Sequence, residues 1–466
     1  MGMIRKFYNE RVEDFCTRLL YFMNTIDSYF FIAGVTSFLI WRRSFVGIAG
    51  MLLAILFAWL CFKIADFHPW FLVFSPLYVF LLKSAGALDV AAALKLGAIN
   101  IAVFVVIQFL FMGIPNAIVS RDPTVPVRML WNSIWTVAAT AVSFSISIYF
   151  SWFLAVILLA QPRLNRFDGF VFWCALFLSA VLSRLLIIKT FVSPDFKPVP
   201  DPARAVSRVI LLNIDGVRLD RFYEAGLPFL KSLEKEATYF PRGLQTVYRA
   251  LTNPAFASIL TGAVPHVHGV RDNNIKRYIR TEALPDVVKT ILYGSMHVKH
   301  FSKRQWQAKV VSLPVHSVYA SDDIMLGWLK ADLKARTDVR LFVADISEAD
   351  FLGHAYGSES SQYLEALRRA DRRIADFFAF LKDTGLDKDT VVIICSDHGM
   401  KVIDHSYMLF DAEIYVPCLI TGRHIKKDNP LPFAASIMDI APTVAYLLGV
   451  KYPQESRGRV LVEAMA

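Results

Sequence analysis

The chain has 466 residues, of which 55% are hydrophobic, 14% aromatic and 19% charged. It is too long for one ordinary domain and too apolar for a wholly soluble protein, so we expect a membrane part and exclude disordered, collagen-like and coiled-coil architectures. The net charge of +10 does not indicate a nucleic-acid partner, because the sequence has no basic block and no basic patch interleaved with aromatic residues.

Long apolar runs dominate the first 188 residues. Four of them are long enough to cross the hydrocarbon core of a bilayer, which needs about 20 apolar residues, and the run at 67–82 is shorter. A further short run at 28–41 is either the start of an additional span or an interfacial helix. The five main runs cover residues 44–62, 67–82, 96–120, 129–162 and 169–188.

The positions of the basic residues favour one of two topologies. If the first span starts at Ser44, most basic residues between the spans fall on one side, and only Lys63, Arg121 and Arg128 oppose them. The positive-inside rule then predicts about five spans, a cytoplasmic N-terminus and an extracytoplasmic C-terminal domain, in the periplasm or outside the cell. A six-span arrangement divides the basic residues almost evenly and leaves that domain inside, so we favour five spans.

The sequence after the last apolar run divides into a linker and a second domain. Residues 190–205 contain four prolines, a composition typical of a semi-rigid linker. We therefore predict a multi-pass membrane domain at 1–189, a linker at 190–205 and a metal-dependent catalytic domain at 206–466.

Strand-like and helix-like patterns alternate in the second domain. Such alternation predicts an α/β sandwich with a mainly parallel central sheet, in which ligand-binding groups collect beyond the carboxyl ends of the strands. The whole chain is thus expected to be an α-helical transmembrane bundle followed by this α/β sandwich. The strand-like runs lie at 207–213, 339–346, 390–395 and 416–421, and the helical patterns lie at 362–381 and 433–448.

Two of the strand-like runs end in a carboxylate. Asp215 and Gly216 follow the first run; the glycine would let the backbone turn closely around an ion, although Asp215 alone is equally well explained as a turn residue or a helix cap. The third run is followed by Asp397 and His398, and an adjacent carboxylate and imidazole at a strand end are suited to binding one metal ion.

A second set of candidate metal ligands lies at 350–405. Asp350 and His354 are four residues apart, which places both on one face if the segment is helical. His405 follows the Asp397-His398 pair closely enough to complete a three-ligand set, although a single histidine is as often a packed structural residue.

A hydroxyl suited to nucleophilic attack lies between these sets. Because Pro254 suits the first turn of a helix, Thr252 or Asn253 is predicted to be the N-cap, where a hydroxyl faces the helix end that attracts phosphate. Capping alone explains Thr252 equally well. Taken together, the two Asp/His sets and this hydroxyl predict a two-metal phosphoryl-transfer site, whose oxygen and nitrogen ligands fit two zinc ions, with manganese as the alternative.

The order of these motifs resembles that of a known superfamily. The motifs are Asp215-Gly216, Thr252-x-Pro254, Thr261-Gly262-x-x-Pro265-x-x-His268-Gly269, Asp350-x-x-Gly353-His354, Ser396-Asp397-His398-Gly399-Met400 and His405. Over residues 206–462 this order resembles the alkaline phosphatase superfamily and, within it, the type I phosphodiesterase/nucleotide pyrophosphatase family. The ordered combination is more specific than any one of its parts.

The resemblance implies a role for each matched residue. Thr252 would be the nucleophile that forms a covalent phospho-threonine. The ligands of one ion would be Asp215, Thr252, Asp397 and His398, and those of the other would be Asp350, His354 and His405. One position departs from the family pattern, since Ala255 follows the proline where nucleotide pyrophosphatases carry an asparagine. Asn253 is therefore the candidate for a substrate-phosphate contact.

The predicted function is a membrane-anchored phosphodiesterase or phosphatase-type hydrolase that acts on a phosphate ester, a lipid or lipid-linked head group. The oligomeric state stays open. As an alternative, the layout resembles the phosphoethanolamine and phosphoglycerol transferases of bacteria, which would use the same residues to pass a head group to a lipid or glycan. A non-enzymatic membrane protein or transporter is disfavoured, because none of the six Asp and His candidates is missing.

Overall fold

The computed structural model describes residues 166–185, residues 189–466 except 272, 274–277, 403–404, 406–407 and 409, and a few isolated positions before residue 166. The helix Arg166–Leu185 (α1) belongs to one compact unit and residues 189–466 belong to another. Within these described stretches, no helix has both the length and the apolar character needed to cross a membrane. Helix α1 overlaps the span predicted at 169–188, and the other predicted spans lie outside the described residues apart from a few isolated positions.

Eleven strands are found in the described part of the chain. They are β1 Arg208–Ile214, β2 Ala237–Tyr239, β3 Leu244–Gln245, β4 Thr290–Gly294, β5 Gln307–Val310, β6 Leu341–Ile346, β7 Thr390–Cys395, β8 Tyr415–Val416, β9 Cys418–Gly422, β10 Asn429–Pro430 and β11 Ala435–Ser436. Eight of them form one sheet in the order β10-β2-β9-β7-β1-β6-β4-β5, and β11, β3 and β8 form a small second sheet.

Helices cover both faces of the larger sheet. After α1 they are α2 Leu219–Glu224, α3 Pro228–Leu233, α4 Thr252–Thr261, α5 Pro265–His268, α6 Leu284–Val287, α7 His297–Phe301, α8 Leu313–His316, α9 Val318–Ala335, α10 Glu348–Tyr356, α11 Ser361–Asp383, α12 Asp411–Ile414 and α13 Ile440–Leu447. Short 3-10 helices lie at Pro202–Arg204, Glu234–Glu236, Leu386–Asp389, Ile437–Asp439 and Val462–Ala464.

The central strands are apolar on both faces, as expected for parallel strands covered by helices. Strands β7, β1, β6, β4 and β5 run parallel, and β9 pairs antiparallel with β7. Alternate residues of β1 point to opposite faces, so Val209 joins the hydrophobic cluster that contains α4 and α13, while Ile210 joins the cluster that contains α9 and α11. The predicted α/β fold with a mainly parallel central sheet is confirmed.

Two predicted elements differ from the structure. The helix predicted at 433–448 begins only at Ile440, because the Ser436 hydroxyl accepts from Met438 N at 3.2 Å and the Asp439 carboxylate accepts from Ser436 N at 2.9 Å, which caps a short 3-10 turn before the helix. The strand predicted at 416–421 is divided into β8 and β9 by Pro417, which has no N–H to donate.

The proline-rich segment at 190–205 packs on the domain that follows it. The Ser193 hydroxyl donates to Asp439 Oδ2 at 2.6 Å, and Phe196 O accepts from Val460 N at 2.8 Å. Thr190 Oγ1 accepts from Tyr248 N at 2.9 Å. The domain boundaries themselves stay a prediction.

Candidate metal centre and nucleophile

The carboxyl ends of β1 and β7 place two carboxylates side by side. The strands are parallel neighbours, with Asn213 in register with Cys395, so the residues that follow them emerge at the same edge of the sheet. Asp215 comes directly after β1, and Asp397 follows β7 after one residue. Both are buried, with exposed fractions of 4% and 0%.

His398 completes the first group of candidate ligands. Its Nε2 lies 3.3 Å from Asp215 Oδ1 and 3.4 Å from Asp397 Oδ2, and the three side chains could hold one metal ion. Its Nδ1 lies 2.9 Å from Gly399 O, a carbonyl oxygen that only accepts hydrogen bonds. Nδ1 therefore carries the proton, which leaves the Nε2 lone pair free for a metal ion.

A second group overlaps the first. Asp350 and His405 form a possible three-ligand set with His398, whose ring stacks on that of His405 with centroids 3.7 Å apart. Helix α10 places His354 one turn after Asp350, and His354 Nε2 lies 3.4 Å from Asp350 Oδ2 and 3.2 Å from His405 Nε2. All six predicted Asp and His residues thus lie in one cluster.

Bare carboxylate oxygens show that the centre suits divalent cations. Asp215 Oδ1, Asp350 Oδ1 and Asp397 Oδ2 are buried and accept no hydrogen bond from the described residues. Their nearest polar neighbours include the imidazole nitrogens of the same cluster. Because an unpaired buried carboxylate is costly and metal ions pair with such oxygens, this donor set fits two divalent ions.

The crowding of like groups shifts their pKa values in the directions expected of a site that needs cations. Burial, reinforced by repulsion from Asp397, Asp350 and Asp345, raises the pKa of Asp215 well above its usual range. Burial raises the pKa of Asp397 to about 7. Burial also lowers the pKa of His398, and that of His405 to well below its usual range. Bound cations would favour the ionised carboxylates and the neutral imidazoles.

Gly216 allows the two groups to approach each other. Its φ is +70°, and a Cβ at this position would lie 2.6 Å from Asp350 Oδ1. Any larger residue would therefore meet both an unfavourable backbone conformation and a clash with a candidate ligand.

Thr252 is the first residue of helix α4 and lies beside this centre. Its Oγ1 is 3.2 Å from His398 Nε2, and its side chain is nearly buried. The prediction that Thr252 or Asn253 is the N-cap was wrong, since the N-cap is Leu251, whose backbone is extended. The Thr252 hydroxyl instead faces the metal centre from the first turn of the helix, and the positive end of the helix dipole there favours an anion.

The neighbouring Asn253 is buried against a loop. Its backbone N–H donates to Asn273 Oδ1 at 2.9 Å, and its own Oδ1 is buried without a hydrogen-bond partner among the described residues. Ala255 N donates to Leu251 O. Asn253 therefore carries an unused amide oxygen beside Thr252, while Ala255 has no side-chain polar group to offer.

A buried polar network next to the centre was missed by the sequence analysis. Asn213 lies in β1 and Asp345 in β6, and Asn213 Nδ2 donates to Asp345 Oδ1 at 2.7 Å. His297 Nε2 lies 3.1 Å from Asp345 Oδ2. A polar side chain inside an otherwise apolar strand signals a buried hydrogen-bond partner, and this signal is present at both strand positions.

The fold is an α/β domain with a mainly parallel sheet. At the carboxyl edge of this sheet, carboxylates and imidazoles cluster beside a threonine at a helix N-terminus, an arrangement typical of a metal-dependent domain. The family model for type I phosphodiesterase / nucleotide pyrophosphatase matches residues 209–278 and 278–443, which is half of the chain. The chain belongs to this family. Residues 209–443 are its phosphodiesterase domain, as the resemblance predicted.

Several known proteins are similar to parts of the chain. Mouse ectonucleotide pyrophosphatase/phosphodiesterase family member 1 is 27% identical over 218 residues, which cover 41% of this chain and 24% of that protein. An uncharacterized pyrophosphatase/phosphodiesterase of Schizosaccharomyces pombe is 25% identical over 222 residues, which cover 42% of this chain and 45% of that protein. The chain thus spans less than half the length of these relatives.

Solved structures with a similar fold include murine ectonucleotide pyrophosphatase / phosphodiesterase 5, with a TM-score of 0.44 and 12% identity over 52% of this chain and 95% of that one. Wild-type alkaline phosphatase PafA also has a TM-score of 0.44 and 12% identity, over 56% of this chain and 99% of that one.

Proposed function

We propose that this protein is a metal-dependent phosphodiesterase that acts through Thr252 on a phosphate ester, the head group of a lipid or lipid-linked molecule. The observation that carries the proposal is the convergence of a near-buried threonine hydroxyl with six clustered carboxylate and imidazole side chains. Family membership supports phosphoric ester hydrolysis as the reaction class, and the similar mouse and fission-yeast proteins are named as pyrophosphatase/phosphodiesterases.

Each side chain of the centre has a distinct task in this proposal. One divalent ion would be held by Asp215, Asp397 and His398 with the Thr252 oxygen, and the other by Asp350, His354 and His405. When bound, the two ions would lower the pKa of the Thr252 hydroxyl and neutralise charge on the phosphoryl oxygens. Zinc suits this mixture of imidazole and carboxylate ligands, and manganese is the second choice.

Thr252 performs the bond-making step. Its hydroxyl releases a proton to water, Oγ1 attacks phosphorus, and the bond from phosphorus to the leaving oxygen breaks in line with the attack. The leaving oxygen keeps the electron pair and takes a proton from water to become the free alcohol. Water then cleaves the phospho-threonine and restores the hydroxyl. The first turn of α4 holds the attacking oxygen in place, and Asn253 Nδ2 would donate a hydrogen bond to a non-bridging phosphate oxygen.

The membrane location rests on the sequence of the first 188 residues. Their apolar runs and the distribution of basic residues favour a multi-pass anchor with the phosphodiesterase domain on the extracytoplasmic side. An enzyme fixed at a bilayer would meet phosphate esters of lipids at high local concentration, which is why we assign a lipid or lipid-linked substrate rather than a free nucleotide.

Mass spectrometry of lipids incubated with the purified full chain tests this proposal. Wild type, Thr252→Ala and Thr261→Ala are compared with zinc or manganese supplied. Thr261 is a matched control, because it lies at the other end of the same helix and its hydroxyl donates to Ala257 O at 2.7 Å. We expect head-group release by wild type and Thr261→Ala, and a loss of at least about 10³-fold in Thr252→Ala.

The products also separate hydrolysis from transfer. A free phosphorylated head group means that water is the acceptor, whereas a heavier lipid or glycan product would mean that a hydroxyl is, as in the transferase alternative. Identical products from wild type and Thr252→Ala would remove Thr252 as the nucleophile.

A further inference from the structure

Two of the five cysteines lie directly opposite each other in the central sheet. Strand β7 ends with Cys395, strand β9 begins with Cys418, and the antiparallel register of the two strands pairs these residues. Both are buried free thiols, and both belong to the hydrophobic cluster that contains α4 and α13. The two thiols therefore extend from neighbouring positions to the same face of the sheet.

The backbone hydrogen bonds show which kind of antiparallel pair the two cysteines form. Cys418 O accepts at 3.2 Å from the N–H of Phe240, the residue that follows β2 on the other side of β9. Because the N–H and C=O of a strand residue point to the same side, both groups of Cys418 point away from β7. The next pair along, Ser396 and Pro417, is joined by a bond from Ser396 N to Pro417 O at 3.3 Å. Cys395 and Cys418 are therefore a non-hydrogen-bonded pair.

Side chains of a non-hydrogen-bonded pair come closer together than those of a hydrogen-bonded pair. The Cα atoms in such a pair are about 4.5 Å apart, compared with about 5.5 Å in a hydrogen-bonded pair. A disulfide bond requires Cα atoms that are about 4.4–6.8 Å apart and side chains directed to the same region. The pairing of β7 with β9 thus meets the backbone requirement of a disulfide bond.

We propose that Cys395 and Cys418 form a disulfide bond that joins β7 to β9. The bond closes a loop of residues 396–417, which contains three of the candidate metal ligands, Asp397, His398 and His405. Such a cross-link restricts the unfolded chain and thereby stabilises the folded domain. The inference goes beyond the proposed reaction and uses only the extracytoplasmic location proposed with it, because disulfide bonds form and persist in oxidising compartments.

Formation of the bond is a two-electron oxidation, for which the oxidant is the disulfide of a thiol–disulfide exchange protein. The sulfur of one cysteine attacks one oxidant sulfur and displaces the other; the second cysteine sulfur then attacks the first and releases the remaining oxidant sulfur. The two thiol protons end on the oxidant, which leaves as a dithiol. Since the exposed fractions of Cys395 and Cys418 are 0% and 2%, this exchange takes place before β9 packs against β7.

Peptide mapping of the full chain, purified from the membranes of the cells that produce it, tests the inference. Free thiols are blocked with iodoacetamide in denaturant at lysis, and the protein is digested with trypsin without reduction. Cleavage after Lys388, Lys401 and Arg423 places Cys395 in peptide 389–401 and Cys418 in peptide 402–423. We expect mass spectrometry to find these two peptides joined, and to find them separate after reduction. Alkylated Cys395 and Cys418 in the unreduced sample would overturn the inference.

Thermal denaturation with and without a phosphine reductant measures the effect of the bond on stability. Reductant should lower the melting temperature of wild type by about 5–10 °C and leave that of Cys418→Ala unchanged. Cys174→Ala is the control, because Cys174 is an exposed free cysteine in helix α1, and this variant should respond as wild type does. Equal responses of wild type and Cys418→Ala would contradict the inference.

These measurements do not depend on catalysis, so their failure is distinct from a failure of the proposed reaction. Loss of the disulfide with retained head-group release would overturn this inference alone. Free thiols in a chain whose C-terminal domain is found in the cytoplasm would overturn the proposed location as well.

Discussion

Thr252 Oγ1 lies 3.2 Å from His398 Nε2, although 146 positions separate the two residues in the chain. The contact joins the first turn of helix α4 to the segment that follows strand β7, and it brings the candidate nucleophile to the centre of the candidate metal ligands. Its consequences can be tested through pH, through single substitutions and through the topology of the whole chain.

The stability of the metal-free protein should fall as the pH rises through 7. The pKa of Asp397 is raised by burial from 3.8 to about 7, so the folded state binds more protons than the unfolded state between these values. A group with a raised pKa contributes stability at low pH that is lost as it ionises. We expect the melting temperature of the metal-free chain to decrease between pH 6.5 and pH 8, above the range in which buried histidines with lowered pKa values, such as His268, oppose this trend.

Asp397→Asn is the comparison for that measurement. Burial raises the pKa of Asp322 to about 7 as well, so this variant should retain part of the pH dependence while showing a smaller slope than wild type. Added zinc should raise the melting temperature of wild type more at pH 8 than at pH 5, because metal ligation requires the ionised carboxylate. Equal slopes in the two proteins would contradict the assignment to Asp397.

Gly216→Ala should weaken metal binding more than it weakens folding. Gly226→Ala is the matched control, because φ is +66° at Gly226 and +70° at Gly216, but an added Cβ meets nothing within 4 Å at Gly226. Both variants should lose about 1 kcal/mol of unfolding free energy from the positive φ. Only Gly216→Ala, whose Cβ would displace Asp350, should also lose zinc affinity, which calorimetry measures. Equal zinc affinities in the two variants would refute this steric coupling.

His268 should stabilise the helix that carries Thr252 only while it is neutral. Its Nδ1 accepts from Val270 N at 3.2 Å, its Nε2 lies 3.0 Å from Ser258 Oγ, and Ser258 Oγ donates to Pro254 O at 3.0 Å. Burial lowers the pKa of His268 to about 3. Because the unfolded state then binds more protons between pH 3 and pH 6.5, this contribution is lost as the pH falls through that range.

His268→Gln should therefore be about 1 kcal/mol less stable than wild type at pH 7, and the difference should shrink as the pH is lowered. His266→Gln is the control, since His266 lies on the same short helix and is exposed. Chemical denaturation at pH 7 and pH 4.5 measures both effects. If the difference in unfolding free energy between wild type and His268→Gln is the same at the two pH values, the prediction that His268 stabilises the fold only in its neutral form is contradicted.

A reporter fused after Ala466 tests the predicted topology. Five spans with a cytoplasmic N-terminus place the phosphodiesterase domain outside the cytoplasm, so a reporter enzyme that needs an oxidising compartment should be active there. A reporter that fluoresces only in the cytoplasm should be dark at the same position. The opposite pair of results would favour six spans.

Much of the candidate site could be predicted from local sequence. Asp215, Asp397 and His398 follow apolar strand-like runs, and the spacing of Asp350 and His354 matches one helical turn. These signals are local, because strand ends and helix faces can be recognised within a few residues. The order of the motifs indicated the family, and the family model matches the same segments.

Other features depended on tertiary structure. Asn213 faces Asp345 because β1 pairs with β6 in one register, and no local pattern specifies which strands become neighbours. The contact of Gly216 with Asp350, the role of His268 and the N-cap at Leu251 likewise depend on non-local packing.

The sequence by itself determined which residue types stand at the strand ends, and therefore the chemistry available. Only the tertiary structure decided which carboxylate oxygens are left without hydrogen bonds, because that depends on donors brought in from distant parts of the chain.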